Sequence, residues 1–341
     1  LIARPCDHHR RLAGSNVDGD QGRPDAIRAA KRRDVMPIPL ACGKVANRPD
    51  TEAEAAGSSG HRAESAIIEC ATFVRPLFAG PLSTRSTDMT TTTERVDGAA
   101  QHLVAARHAG SPGPLLPDAL RPENVETALA IQQRVADLLG EPVGGWKCAL
   151  PPPDRVILAP IFASTIREAD APYRVVGGPI VRIEPEIAFV LDRDLPAREQ
   201  PYDEQDVRDA IREVRIVLEV LGCRYAEPTR ASKFELLADG QFNQGLCVGP
   251  VVPDGLNVPL ETLALTFEGA LNRAIDGRHP DGDPLKPLVW LVNFLASRGD
   301  AVRAGQIVTT GSYAGAIDVP LGDALTVRFG ELGSLSVTLT A

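Results

Sequence analysis

Two aliphatic runs constrain this chain more than any other feature: VRIEPEIAFVL at residues 181–191 and RIVLEVLG at residues 215–222. Their Val, Ile, Leu and Phe content is that of buried strands. Yet the first carries Glu184 and Glu186, and the second carries Glu219. Side chains at i and i+2 of a strand share a face. Glu184 and Glu186 therefore converge, with Pro185 turned the other way. An unpaired carboxylate is costly to bury, so any fold built on these strands must give the acids solvent, an ion pair or a cation. Taken alone, the Glu184–Glu186 pair suits the solvent-facing edge of an antiparallel strand. Glu219 suits an outward position or a buried pair with an arginine. Three acids that each enter an aliphatic strand also describe a site for a hard divalent cation, Mg²⁺ or Mn²⁺. Such a cation would offset the repulsion that otherwise raises the pKa of adjacent carboxylates.

The remaining periodicity fills in an α+β fold. Residues 95–109 read as a helix with Val96, Ala100, Leu103 and Val104 on one face and Gly110 as a stop. Pro122 opens a second helix, striped by Val125, Leu129, Leu138 and Leu139 and ended by Gly140. Strands are expected near 155–158, 181–192, 215–221, 245–251, 261–268, 306–310, 324–329 and 334–340. Helices are expected over DEQDVRDAIREV (203–214) and PLKPLVWLVNFLASRG (284–299). Strands outnumber helices and do not alternate with them, which argues against a parallel doubly wound sheet and for a mixed or antiparallel core. The domain expectation is a small helical N-terminal cap over residues 89–150 and a β-rich catalytic domain over 151–341.

Residues 1–88 have a different character. Lys and Arg outnumber Asp and Glu there, whereas the chain as a whole carries a formal charge of −9. Periodicity is poor, and Met89 followed by TTTTERVDG resembles a protein start. The expectation is a disordered or non-native leader ahead of Met89; its acidic residues fit a transit peptide badly. The overall negative charge argues against a nucleic-acid partner. No apolar run reaches the length of a membrane span. The six cysteines show no C-x-x-C spacing, which suits reduced thiols and a cytoplasmic location.

Other candidates are local. Lys147 sits in GGWKCAL, in apolar surroundings that suit either an acid–base or carboxylate-binding lysine or a snorkelling surface lysine. TTGSYAG, at 309–315, is a glycine-rich turn after a strand; it could offer N–H groups and a hydroxyl to an anion, or be a plain turn. It is not a nucleophile elbow, because Thr310 stands where that motif needs glycine. The histidines have no ligand-like spacing.

In order along the chain, GWKCAL, RIEPEIAFVL, LEVLGCR, LADGQFNQG, WLVNFLASRGDAVRAGQIVTTGS and GDALTVRFGELGSLSV follow one another. From Met89 to the C-terminus the chain thus resembles the 2-keto-4-pentenoate hydratase and 4-oxalocrotonate decarboxylase branch of the fumarylacetoacetate-hydrolase-like superfamily. The resemblance implies a mixed β-roll and a Mg²⁺ or Mn²⁺ held by Glu184, Glu186 and Glu219. It implies a catalytic role for Lys147, and substrate contacts from Arg224, Asp239, Gly311 and Ser312. Two segments depart from the family pattern: DRVILAPIFAS (154–164) lacks the usual acid, and ADGQFNQG replaces a loop usually written A-D-N-A-S-S-G.

The implied activity is hydration of a 2-hydroxy-2,4-dienoate in aromatic catabolism. Alternatives are a 4-oxalocrotonate-type decarboxylase, an acylpyruvate-type C–C hydrolase, or a non-catalytic partner subunit, the last motivated by the altered loop. The implied partners are a small anionic substrate and further copies of the chain, with a related decarboxylase or hydratase as a companion.

Overall fold

A computed structural model describes residues 85–169 and 171–341. The expectations for residues 1–84 lie outside the described residues, and the first helix, α1 (Arg85–Ala109), runs through Met89. Helix α2 (Val125–Leu139) is capped as its sequence requires: the Asn124 side chain accepts from Thr127 N–H, and Gly140 ends it in the left-handed conformation. Its buried residues include Ala128, Leu129, Ile131 and Val135, while Val125, Leu138 and Leu139 are only partly buried.

The strands follow as β1 (Val143–Cys148), β2 (Leu158–Phe162), β3 (Ile166–Glu168), β4 (Tyr173–Arg174) and β5 (Ile180–Leu191). After the short α3 (Glu204–Arg208) come β6 (Ile211–Leu221), α4 (Lys233–Ala238), β7 (Asn243–Val251), β8 (Thr262–Gly269) and β9 (Arg273–Arg278). Helix α5 (Leu285–Ser297) precedes β10 (Ile307–Ser312), β11 (Ile317–Pro320), β12 (Ala324–Phe329) and β13 (Ser334–Thr340).

Three expectations need correction. The helix expected over 203–214 survives only as α3, because from Ile211 the chain pairs with β5 and its alternation of Ile211, Val214, Ile216 and Leu218 serves a sheet. The strand expected at 155–158 begins at Leu158. Residues 143–148, grouped by sequence with the helices, form β1 inside the main sheet.

The main sheet has the order β2-β1-β10-β5-β6-β7-β3, with β11 also on β5. It is mixed: β1 runs parallel to β10 and β3 to β7, and the other pairs are antiparallel. A second sheet has the order β4-β13-β12-β8-β9. The main sheet curls until β2 and β7, far apart along its path, come into contact. Its two faces have different cores. The outer face carries Ile183, Ile187, Phe189, Ile216, Leu218 and Val220 into the large core, which also takes Leu288, Leu291, Val292 and Leu295 of α5. The inner face carries a small separate cluster of Ile161, Ala188, Val190, Val217, Leu246, Val248 and Ile307.

Candidate metal centre

The inner face of the curled sheet changes character along its strands. Ala188 and Val190 sit in the dry cluster, and the next inward positions of β5 are Glu186 and Glu184. On β6, Val217 is dry and Glu219 follows it. Register brings the acids together: Glu184 is the Cα partner of Glu219, and Glu186 that of Val217. One carboxylate oxygen from each of Glu184, Glu186 and Glu219 lies within 4.8 Å of the others. Glu186 and Glu219 are buried, and Glu184 is half-buried.

Lys147 joins them from β1. Three strand steps separate β1 from β6, a span of about 14 Å in a flat sheet. Curling closes it, and Lys147 Nζ stands 2.8 Å from Glu219 Oε1. Gly145 makes this packing possible: a Cβ there would lie 2.2 Å from the Ile307 carbonyl oxygen on β10. Lys147 also donates to the Gln241 carbonyl at 3.1 Å. Burial alone would lower the pKa of this ammonium, but Glu219, Glu184 and Glu186 outweigh it and raise it.

Each acid has its own supports. The Thr309 hydroxyl and the Gly311 N–H, the latter at 2.9 Å, donate to Glu186 Oε2. Asn243 Nδ2 donates to Glu219 Oε1 at 2.8 Å, while Glu219 Oε2 is buried without a partner. Burial, with Glu219 and Glu184 adding to it, pushes Glu186 up to about 8. Burial and Glu219 push Glu184 up to about 7 against the pull of Lys147. The loop that carries Gln241 is strained: Gln241 and Phe242 have φ of 52° and 66° after Gly240 at 92°. A non-glycine residue in that region costs about 1–2 kcal/mol. The strain aims the Gln241 carbonyl at Lys147 and starts β7 with Asn243 beside Glu219.

The donor set fits a divalent cation. With all three carboxylates ionised, the state in which they would ligate a metal, the acids and one ammonium carry a net charge of −2, and one acid oxygen is buried without a partner. Oxygens sharing a Mg²⁺-sized ion sit no more than about 4.2 Å apart, so the cluster is within about an ångström of ligand spacing. All three ligands are hard oxygens.

The other expected site residues divide. Gly311 touches the cluster through its N–H; its φ of 135° and its approach to His279 require glycine. The Ser312 hydroxyl is spent on the turn, donating to Gly315 O at 3.1 Å and facing Pro185 O at 3.5 Å. Arg224 and Asp239 find each other. Arg224 Nε binds Asp239 Oδ1, the Arg224 backbone N–H reaches Oδ2 at 3.0 Å, and Nη2 reaches the Asp239 carbonyl at 2.6 Å. Nη1 donates to the Asn243 carbonyl at 2.7 Å. The pair therefore braces the loop behind Glu219 and makes no hydrogen bond to the acids. Thr309 and Asn243 were not singled out from sequence. The available signal was their place inside TTGSYAG and LADGQFNQG.

Comparison with known proteins places the chain in a family. The model of the fumarylacetoacetate (FAA) hydrolase C-terminal family matches residues 141–340. 2-Keto-4-pentenoate hydratase of Paraburkholderia xenovorans (strain LB400) is 30% identical over 264 residues, which cover 72% of this chain and 94% of that protein. 4-Oxalocrotonate decarboxylase of Pseudomonas putida is 32% identical over 133 residues, 38% of this chain and 50% of that one. The structure of 4-oxalocrotonate decarboxylase from Pseudomonas putida G7, complexed with magnesium and adipate, superposes with a TM-score of 0.61. It is 22% identical, and the match covers 72% of this chain and 98% of that chain, a likeness of fold. The family match, spanning the strands that carry Lys147, all three glutamates and Gly311, establishes that the chain belongs to the fumarylacetoacetate hydrolase family.

Proposed function

We propose that the protein is a divalent-metal-dependent hydratase of a 2-hydroxy-2,4-dienoate of the 2-keto-4-pentenoate type, a hydro-lyase of aromatic catabolism. One observation carries the reading: Glu184, Glu186 and Glu219 converge with Lys147 on the inner face of the sheet, in a chain that spans 94% of a curated 2-keto-4-pentenoate hydratase. The sequence match to 4-oxalocrotonate decarboxylase spans only 50% of that protein, and the full-length structural match is a likeness of fold, which puts decarboxylation second.

Glu184, Glu186 and Glu219 would hold the cation, which supplies Lewis-acid stabilisation of negative charge on the substrate 2-oxygen. The chain's own groups do the rest. An ammonium has three N–H donors; Lys147 spends two, on Glu219 and Gln241. The third is free to hold the substrate carboxylate or 2-oxygen, and the raised pKa of the group keeps it a cation there. Glu184, half-buried, is the acid that substrate and solvent reach, whereas Glu186 and Glu219 are shut in by Thr309, Gly311 and Asn243. The apolar cluster of Ile161, Val190, Val217 and Leu246 keeps bulk water from the inner side. In this reading the helices that precede β1 cap a β-roll, and the enzyme works in the cytoplasm as a homo-oligomer alongside a related decarboxylase or hydratase. Among the described residues no helix is long and apolar enough to cross a membrane.

The test is incubation with 2-hydroxypenta-2,4-dienoate and Mg²⁺ or Mn²⁺, following dienol absorbance and identifying the product. A hydroxy-keto acid is expected. Release of CO₂ from oxalocrotonate, without hydration of the dienoate, would transfer the assignment to the decarboxylase. Glu184→Gln should abolish metal-dependent turnover while leaving the fold intact; full activity in that variant would refute the site.

A further inference from the structure

A second polar centre lies at the C-terminal end of α1. A cavity of about 220 Å³ opens there, with Arg107, Leu139, Glu141, Phe162, Val176 and Arg224 on its walls and none of the three clustered glutamates or Lys147 among its lining. The two guanidiniums share one carboxylate, Asp239: Arg224 binds it directly, and Arg107 Nη2 stands 3.9 Å from Oδ1. Arg224 is satisfied at all three nitrogens. Arg107 is not. A guanidinium carries five N–H donors. The hydrogen bond Arg107 makes among the described residues runs from Nη2 to the Asp239 carbonyl at 3.0 Å, and its Nε is buried without a partner. The Phe162 ring, 5.4 Å from Arg107 Cζ, covers the group on one side. Glu141, the acid on the cavity wall, accepts from the Ser164 hydroxyl. Burial, and then the charge of Arg224, lower the Arg107 pKa to about 9 against the smaller opposing pull of Asp239 and Glu141, so it stays cationic at neutral pH while sharing Asp239 with a second guanidinium.

The missing partner is an anion. A carboxylate offers two acceptor oxygens to the edge of a guanidinium, and Leu139, Phe162 and Val176 suit a short hydrocarbon body behind it. We infer that this cavity is a binding site for a small organic carboxylate, seated head-first on Arg107. It communicates with the glutamate cluster by a short route: Arg224 Nη1 holds the Asn243 carbonyl, and the Asn243 side chain holds Glu219. The occupant is either the far end of a dicarboxylate substrate or a separate monocarboxylate, and the two sources are distinguishable.

The full chain is titrated calorimetrically with crotonate and with glutarate, first in chelator and then with Mg²⁺. Saturable binding is expected in chelator, and Arg107→Gln should weaken it by at least about tenfold, the loss of a charge-assisted hydrogen-bonded pair. Arg107→Lys keeps the charge without the fork, should fall between the two, and carries the test if the Gln variant does not fold. Affinities that ignore Mg²⁺ mark a separate carboxylate; glutarate binding that tightens with Mg²⁺ while staying sensitive to Arg107 marks the far end of a dicarboxylate. No saturable binding of either probe, or undiminished affinity in both variants, overturns the site. The chelator titration involves no metal, so its failure leaves the metal-dependent reading standing, and the converse holds.

Discussion

Glu184 and Glu219 sit directly opposite each other on β5 and β6, two like charges at one cross-strand position. Like charges so placed destabilise a sheet. Here Lys147, from three strands away, stands 2.8 Å from Glu219 and offsets part of the repulsion, and Glu186 adds a third acid to what remains. The arrangement is one that a divalent cation completes, and its consequences are measurable.

The first concerns pH. Glu186 at about 8 and Glu184 at about 7 lie above the ordinary value of 4.5. Carboxyls raised on folding hold their protons more tightly in the folded state. Their stabilising contribution is complete below the unfolded value and is lost as pH rises through 7 to 8. In chelator, the urea midpoint should fall between mildly acidic pH and pH 8 by more than it does in Glu186→Gln. Saturating Mg²⁺ should reverse the slope, because the ion binds deprotonated ligands. Identical pH profiles for the two proteins in chelator would contradict the shared burial of these acids.

Removing the lysine tests the ion pair. Lys147→Met strands fully buried Glu219 with Asn243 as its remaining donor. Breaking a buried pair from one side costs about 3–5 kcal/mol. Equilibrium denaturation in chelator should show that loss, and Mg²⁺ should recover a good part of it by supplying positive charge. Turnover should not recover.

The supporting residues set the affinity for metal. Thr309→Val removes the hydroxyl on Glu186, and Asn243→Ala removes the amide on Glu219. Groups that orient ligands in this way are worth about 10–100-fold in metal affinity or activity. Mn²⁺ titrations followed by electron paramagnetic resonance should show each variant binding more weakly than the native protein. Ser312→Ala, whose hydroxyl is spent on the turn, should bind Mn²⁺ as the native chain does.

Gly145→Ala tests how closely β1 packs on β10. The added methyl would meet the Ile307 carbonyl oxygen at 2.2 Å, against backbone that cannot swing aside as a side chain can. Overpacking of this kind costs about 1–3 kcal/mol. The urea midpoint should drop, and metal affinity should drop with it, because β1 carries Lys147.

Much of the site was legible locally. The i, i+2 spacing of Glu184 and Glu186 placed both on one strand face, and an acid inside RIVLEVLG marked Glu219 as needing a partner, because strand periodicity and the cost of buried charge are properties of short segments. Helix α5 was legible for the same reason: Leu288, Leu291, Val292 and Leu295 repeat at helical spacing, and all four are buried. Local sequence misread residues 203–214. The spacing of Val207, Ile211 and Val214 suits a helix, but β5 offers Ile211 and Val214 a strand partner and tertiary pairing wins. It also left Lys147 undecided between surface and site. Only the curl of the sheet, which brings β1 within a side chain's reach of β6, turned a lysine in a glycine-rich segment into the counter-charge of Glu219. Neighbouring positions along one strand determine which way a carboxylate points; what it meets there is set by strands distant in sequence.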